Sequence, residues 1–116
     1  MRGRIVAFWE GGYAECPLPN RGEITIGRSR LCALSIQHTT VSRKHVRLRL
    51  DDPPVLIDCG SSNGTKVAGV VIEPGAECTV FAGQIIELGD VVIAIQPGAP
   101  SRAESALELP RIDELV

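Results

Sequence analysis

The sequence predicts an all-β chain: an antiparallel β-sandwich of about eleven short strands, followed by a short helical or disordered C-terminal tail. Three observations predict it. Short β-branched and aliphatic runs recur along the 116 residues, each closed by Gly, Pro, Asn or Asp. Twelve Gly and eight Pro supply more turns than a few long helices would need. With one Trp, one Tyr and two Phe, the hydrophobic content of 44% comes from Val, Ile, Leu and Ala, which pack well as half-buried strand faces.

The elements follow in order. The first strand is expected at 4–8, where Ile5-Val6-Ala7-Phe8 runs out into Gly11-Gly12, and the second at 13–16. Pro17, Pro19 and Gly22 separate these from a run at 23–26, and a shorter one stands at 34–36. The clearest alternation is His45-Val46-Arg47-Leu48-Arg49-Leu50, whose period of two puts Val46, Leu48 and Leu50 on a core face and Arg47 and Arg49 in solvent. Pro53-Pro54 precedes 55–58, Gly64 precedes 65–67, and Gly69 turns the chain into 70–72. Pro74-Gly75 leads to 78–80, Gly83 to 85–88, and Gly89-Asp90 to 91–96.

From Pro97 the character changes. Residues 1–97 read as one domain, the usual outcome for a chain of this length. Residues 98–116 read as a linker and the start of a truncated following region: Pro97-Gly98-Ala99-Pro100 is linker-like, and Ser101 with Glu104 fits a capping box for a short helix that Pro110 stops. A net charge of −2 argues against bulk attraction to nucleic acid or to an anionic membrane, and no segment approaches transmembrane length. Arg47 and Arg49 share a strand face, but without interleaved aromatics they read as a solvated face, not a base-stacking surface. Cys16, Cys32, Cys59 and Cys78 show no C-x-x-C spacing, and three of the four fall in apolar runs, so reduced thiols packed as small hydrophobes are expected, with no metal and no cofactor. The N-terminal apolar stretch is too short for a signal peptide, and a cytoplasmic location is expected.

The chemistry is concentrated in three polar clusters between strands: Gly27-Arg28-Ser29, Thr39-Thr40-Val41-Ser42-Arg43-Lys44-His45, and Gly60-Ser61-Ser62-Asn63-Gly64-Thr65. Guanidinium groups, hydroxyls, a carboxamide and glycine-loosened backbone N–H groups together suit a bound oxyanion. Arginine in particular offers a permanently charged, rigid fork that matches phosphate oxygens. Other readings exist for the same residues. Asn63-Gly64 is a turn signal in its own right. Ser42, His45 and Asp58 contain the residue types of a nucleophile, a base and an orienting carboxylate, but no nucleophile elbow or other catalytic signature surrounds them.

Taken in order, Gly27-Arg28-Ser29, Ser42-Arg43-Lys44-His45 and Ser62-Asn63-Gly64-Thr65 resemble the three signature blocks of the forkhead-associated (FHA) domain, a sandwich of the FHA/SMAD type and a phospho-motif reader. The resemblance covers roughly residues 5–96. It implies a non-enzymatic module that binds a phosphothreonine-containing protein or peptide, with a Ser/Thr kinase acting upstream and no direct nucleic-acid or membrane contact by the domain. By that resemblance Arg28 is the principal phosphate ligand, Ser42 a hydroxyl donor, Arg43 a second cation, and Ser62 a further hydroxyl or backbone contact. Asn63 would bond the ligand backbone beside the phosphothreonine, His45 would tie down the recognition loop from beneath, and Gly27 and Gly64 would permit the turns. A small apolar space for the threonine methyl would disfavour phosphoserine.

Departures from the pattern are expected to change details. Gly83-Gln84 replaces a Gly-Asp often found before a late strand. Thr40 replaces a basic residue that reads the ligand further along in some relatives, and His38 is expected on the loop surface. The segment 107–116 resembles the junction into the AAA+ domain of sigma-fifty-four-dependent transcription activators, which places the module in a larger bacterial-type regulator. A phosphate-independent interaction or oligomerisation domain is the alternative. In a simple antiparallel meander consecutive loops alternate between the two ends of a sandwich, so gathering all three clusters at one end is expected to need strands that cross between sheets.

Overall fold

A computed structural model describes residues 3–97, and the linker and helix expected beyond 97 lie outside the described residues. Eleven strands form: β1 (Gly3–Trp9), β2 (Gly12–Pro17), β3 (Glu23–Gly27), β4 (Leu34–Ser35), β5 (Val46–Arg49), β6 (Val55–Asp58), β7 (Thr65–Val67), β8 (Val70–Val71), β9 (Glu77–Thr79), β10 (Ile86–Leu88) and β11 (Val91–Pro97). They build a six-stranded sheet in the order β2-β1-β11-β10-β7-β8 and a five-stranded sheet in the order β4-β3-β5-β6-β9.

The core lies between the sheets and is made by alternate residues, as the period of two requires. Ile5 and Ala7 of β1, Ile24 and Ile26 of β3, Val46 and Leu48 of β5, Ile86 and Leu88 of β10, and Val91, Ile93 and Ile95 of β11 all point inward. Each such Val, Leu or Ile contributes roughly 1.5–3 kcal/mol of burial. Leu50, expected on the same face as Val46 and Leu48, packs only at the margin because β5 has ended before it. Arg47 and Arg49 face outward and are neutralised: Arg47 pairs with Glu23 at 3.1 Å, and Arg49 with Asp51 at 2.7 Å and Glu77 at 2.9 Å. Cys32 is buried, Cys16 and Cys78 are half-buried, and Cys59 is exposed; all four thiols are free. Among the described residues no cluster suits a metal ion, and no helix is long and apolar enough to cross a membrane.

One pairing departs from the antiparallel expectation. β4 lies parallel to β3, with Ile26 opposite Leu34 and Gly27 opposite Ser35. At two residues, β4 is a short addition to the sheet edge and not a full leg of a meander. The next long strand, β5, is antiparallel to β3, and Ile26 stands opposite Val46. Residues 28–45 therefore leave and re-enter the sheet at the same end, which puts the Arg28 and Ser42 clusters together with no crossing between sheets. β6 returns beside β5 to place Asp58 opposite Val46, and the chain then passes to the other sheet, where Thr65 pairs with Leu88. The crossing is needed only for the third cluster. The β10–β11 turn at Gly89-Asp90 arrives at this end as well.

Candidate functional site

Gly27 brings the first two segments into contact. A Cβ built on it would lie on the Arg43 carbonyl and against the Ser42 carbonyl, so any larger residue would force β3 and the Ser42-Arg43 loop apart. Through this approach Arg28 N–H donates to the Ser42 carbonyl at 2.9 Å, and Ser29 N–H donates to the Arg43 carbonyl at 3.1 Å. The Arg28 side chain is tethered too: Nε donates to the carbonyl of buried Val41 at 3.0 Å. With Nε held, the two terminal nitrogens remain as a fork of donors on an exposed side chain. The Arg28 carbonyl accepts Gln37 Nε2 at 2.9 Å, which steadies the loop from its other side.

His45 is fully buried beneath the loop. Its Nδ1 accepts the Ser42 N–H at 3.0 Å, so the ring proton sits on Nε2, which donates to the Gly64 carbonyl at 2.9 Å. Burial lowers the imidazole pKa from its ordinary value, against the opposing pull of the Gly64 carbonyl and Asp58, and keeps the ring neutral as the Ser42 bond demands. One imidazole thereby joins the second and third clusters. A second link runs above it: Ser62 N–H donates to Ser42 Oγ at 3.0 Å. The Ser62 backbone donor is thus consumed inside the site, leaving its hydroxyl, and Ser42 Oγ retains its own proton for an acceptor outside the protein. Gly64, at φ 80°, takes the left-handed turn that leads into β7.

The residues Arg28, Arg43, Ser62 and Asn63 are exposed and Ser42 is half-buried, all at one end of the sandwich. Arg28 and Arg43 have no carboxylate partner among the described residues, unlike Arg4, Arg47 and Arg49. Two uncompensated cations beside a hydroxyl donor favour an anion. Asn63 Nδ2 donates to the Thr40 carbonyl at 2.8 Å. Beside it a cavity of about 340 Å³ is lined by Thr40, Asn63, Gly64, Lys66, Glu87, Gly89 and Asp90.

Ser42, His45 and Asp58 do not form a proton relay. His45 meets the Ser42 backbone and not its hydroxyl, its other nitrogen faces the Gly64 carbonyl, and Asp58 is occupied elsewhere.

Residues 24–89 match the FHA domain family. The chain belongs to the FHA domain family. It is 28% identical over 96 residues to the human mediator of DNA damage checkpoint protein 1, an alignment covering 78% of this chain and 5% of that protein. The FHA domain of the CT664 protein from Chlamydia trachomatis superposes with a TM-score of 0.76 at 24% identity, covering 85% of this chain and 100% of that one. A further solved FHA domain, studied for phosphothreonine-dependent FHA domain interactions, superposes with a TM-score of 0.69 at 26% identity, covering 84% of this chain and 99% of that one.

Several residues near the candidate site of this FHA domain take contacts that only the folded chain reveals. Asp58, at the end of β6, is buried and organises the third loop: Oδ1 accepts the N–H groups of Gly60 at 2.6 Å and Ser61 at 2.9 Å, while Oδ2 accepts the hydroxyls of Ser61 and Thr65, both at 2.6 Å. Burial works to raise its pKa, but the hydroxyls of Ser61 and Thr65 and the two N–H groups outweigh it and hold the carboxyl below its ordinary value. An Asp two residues before Gly and three before Ser is a side-chain turn signal that points to this role. His38, expected at the loop surface, is half-buried, and its Nδ1 faces the Thr40 hydroxyl at 2.9 Å. Gln84 preserves the turn at Gly83: its Oε1 accepts the Phe81 N–H at 2.8 Å.

Proposed function

We propose that this FHA domain is a binding module for a phosphorylated threonine on a partner protein. The observation that carries the reading is that two guanidinium side chains without a carboxylate partner, Arg28 and Arg43, are exposed on adjoining loops at the same end of the sandwich as the free hydroxyl proton of Ser42. In this reading the Arg28 fork takes two phosphate oxygens, Ser42 Oγ donates to one of them, and Arg43 adds a second positive charge. Ser62 contributes its hydroxyl, because its N–H is already bonded, and Asn63 bonds the ligand backbone next to the phosphothreonine. Charge-assisted bonds of this kind contribute roughly 1.5–3 kcal/mol each, and an unphosphorylated threonine offers no dianion to receive them. The phosphothreonine-dependent interactions described for a solved FHA domain 26% identical to this chain support the assignment.

The same reading makes the domain a docking part of a larger signalling protein, with a Ser/Thr kinase writing the mark it reads in the cytoplasm. Residues 98–116 would join it to the next region, and the likeness of 107–116 to the junction of sigma-fifty-four-dependent activators points to a bacterial transcription regulator whose DNA contacts lie elsewhere. Retention of Arg28, Ser42 and Asn63 together disfavours a phosphate-independent docking role. Isothermal titration of the domain with a degenerate phosphothreonine peptide library and its unphosphorylated counterpart tests the proposal. Binding of the phosphorylated pool alone, abolished in Arg28→Ala, is expected; equal binding of both pools would sink it.

A further inference from the structure

The Asn63 carboxamide is oriented by another loop. Its Nδ2 donates to the Thr40 carbonyl at 2.8 Å, and because a carbonyl can only accept, this contact decides which end of the amide faces Thr40. Thr40 in turn is held from several sides. Its Oγ1 accepts the Asp90 N–H at 2.9 Å across the gap to the β10–β11 turn. The same hydroxyl donates to His38 Nδ1 at 2.9 Å, and the Thr40 N–H reaches that nitrogen at 3.2 Å. Gly89 packs so closely that an added Cβ would stand 2.5 Å from the Thr40 carbonyl oxygen and 2.6 Å from its hydroxyl.

A carboxamide carries two donors at one end and an acceptor at the other. With one Nδ2 proton committed to Thr40, Oδ1 and the second Nδ2 proton remain for the N–H and C=O of an extended peptide. We propose that Thr40 is a positioning residue for ligand binding: its hydroxyl, latched to the β10–β11 turn through Asp90, holds its carbonyl where that carbonyl fixes the Asn63 amide for the peptide backbone. This rests on the phosphopeptide reading above. Thr40 acts through Asn63 and touches no phosphate, so its loss weakens recognition of the ligand backbone and spares recognition of the phosphate.

The test compares the wild-type chain with Thr40→Val, which removes the hydroxyl at nearly constant volume, and with Thr40→Ser, which keeps it. The probes are a phosphothreonine peptide selected from a degenerate library and the free amino acid O-phosphothreonine. Thr40→Val is expected to weaken the peptide about fivefold, the scale of one net hydrogen bond, while free phosphothreonine binding stays within about twofold. Thr40→Ser restores peptide affinity, and in an Asn63→Ala background Thr40→Val costs nothing further. In ligand-free protein the Asn63 side-chain amide resonances should move toward those of a solvated amide in Thr40→Val and not in Thr40→Ser. Unchanged amide resonances with unchanged peptide affinity would overturn the proposal, as would an equal loss for both probes, which marks a general structural defect. If the wild-type chain binds neither probe, the phosphopeptide reading fails, and the amide resonances still decide whether Thr40 orients Asn63.

Discussion

Replacing Arg28 with lysine keeps the positive charge and removes the fork. In the structure Nε is tethered to the Val41 carbonyl at 3.0 Å, and Val41 is part of the core, so the guanidinium is a plate fixed along one edge. A lysine has a single nitrogen on a flexible stem. It can reach the Val41 carbonyl or a phosphate oxygen, and it cannot hold one while presenting two donors to the other. Losing one charge-assisted bond of roughly 1.5–3 kcal/mol lowers affinity by about tenfold to a hundredfold. The tether is donated by the charged guanidinium of an exposed side chain, so losing it costs the fold about 1.5 kcal/mol, a melting-temperature drop of about 6–12 °C for a domain this size. Titration calorimetry with a phosphothreonine peptide, paired with thermal denaturation, separates the two effects. The lysine variant should melt no more than about 12 °C below the wild type yet bind at least about tenfold more weakly, with Arg28→Ala weaker again. A lysine variant within twofold of wild-type affinity would refute the fork argument.

Acidification should weaken the fold in two stages. His45 is held below its ordinary pKa of 6.5, so stability is level above that pH and falls as pH drops below it, because the unfolded chain takes up the proton first. The Asp58 carboxyl is also held below its ordinary 3.8, so its contribution is present above that value and is lost as pH falls through the lower folded value. Urea midpoints measured from pH 8 down to pH 3 check both, and a midpoint that rises on acidification would contradict both assignments. Gly27→Ala should destabilise the domain by about 2–4 kcal/mol, since its Cβ would meet backbone and not a flexible side chain. Chemical denaturation measures this, and a loss under about 0.5 kcal/mol would show that β3 and the Arg43 segment can part cheaply.

The strands were legible because their signals are local. Val46 and Leu48 alternate with Arg47 and Arg49 inside four residues, and a turn glycine such as Gly64 marks its own φ requirement. The oxyanion chemistry of Arg28, Ser42 and Arg43 was legible for the same reason, since residue type alone limits what a guanidinium or hydroxyl can bond. Grouping them into one motif needed the family pattern, because no short-range rule joins Gly27 to Asn63.

What the linear sequence hides is contact between distant segments. Thr40 looks like a neutral loop residue until Asn63 and Asp90 arrive from other connections to bond it. Asp58 carries a local turn signal, but its burial beside Thr65 appears only when β6 and β7 are in place. The run at 34–36 is strand-like either way, and only the pairing of Ile26 with Leu34 and with Val46 shows β4 to be parallel and short. That register brings the Arg28 and Ser42 loops to the same end of the sandwich. Local periodicity sets which side chains face inward along a strand, whereas the direction in which two strands pair depends on hydrogen bonds between residues far apart in the chain. The site exists because of the second, and the sequence alone determined only the first.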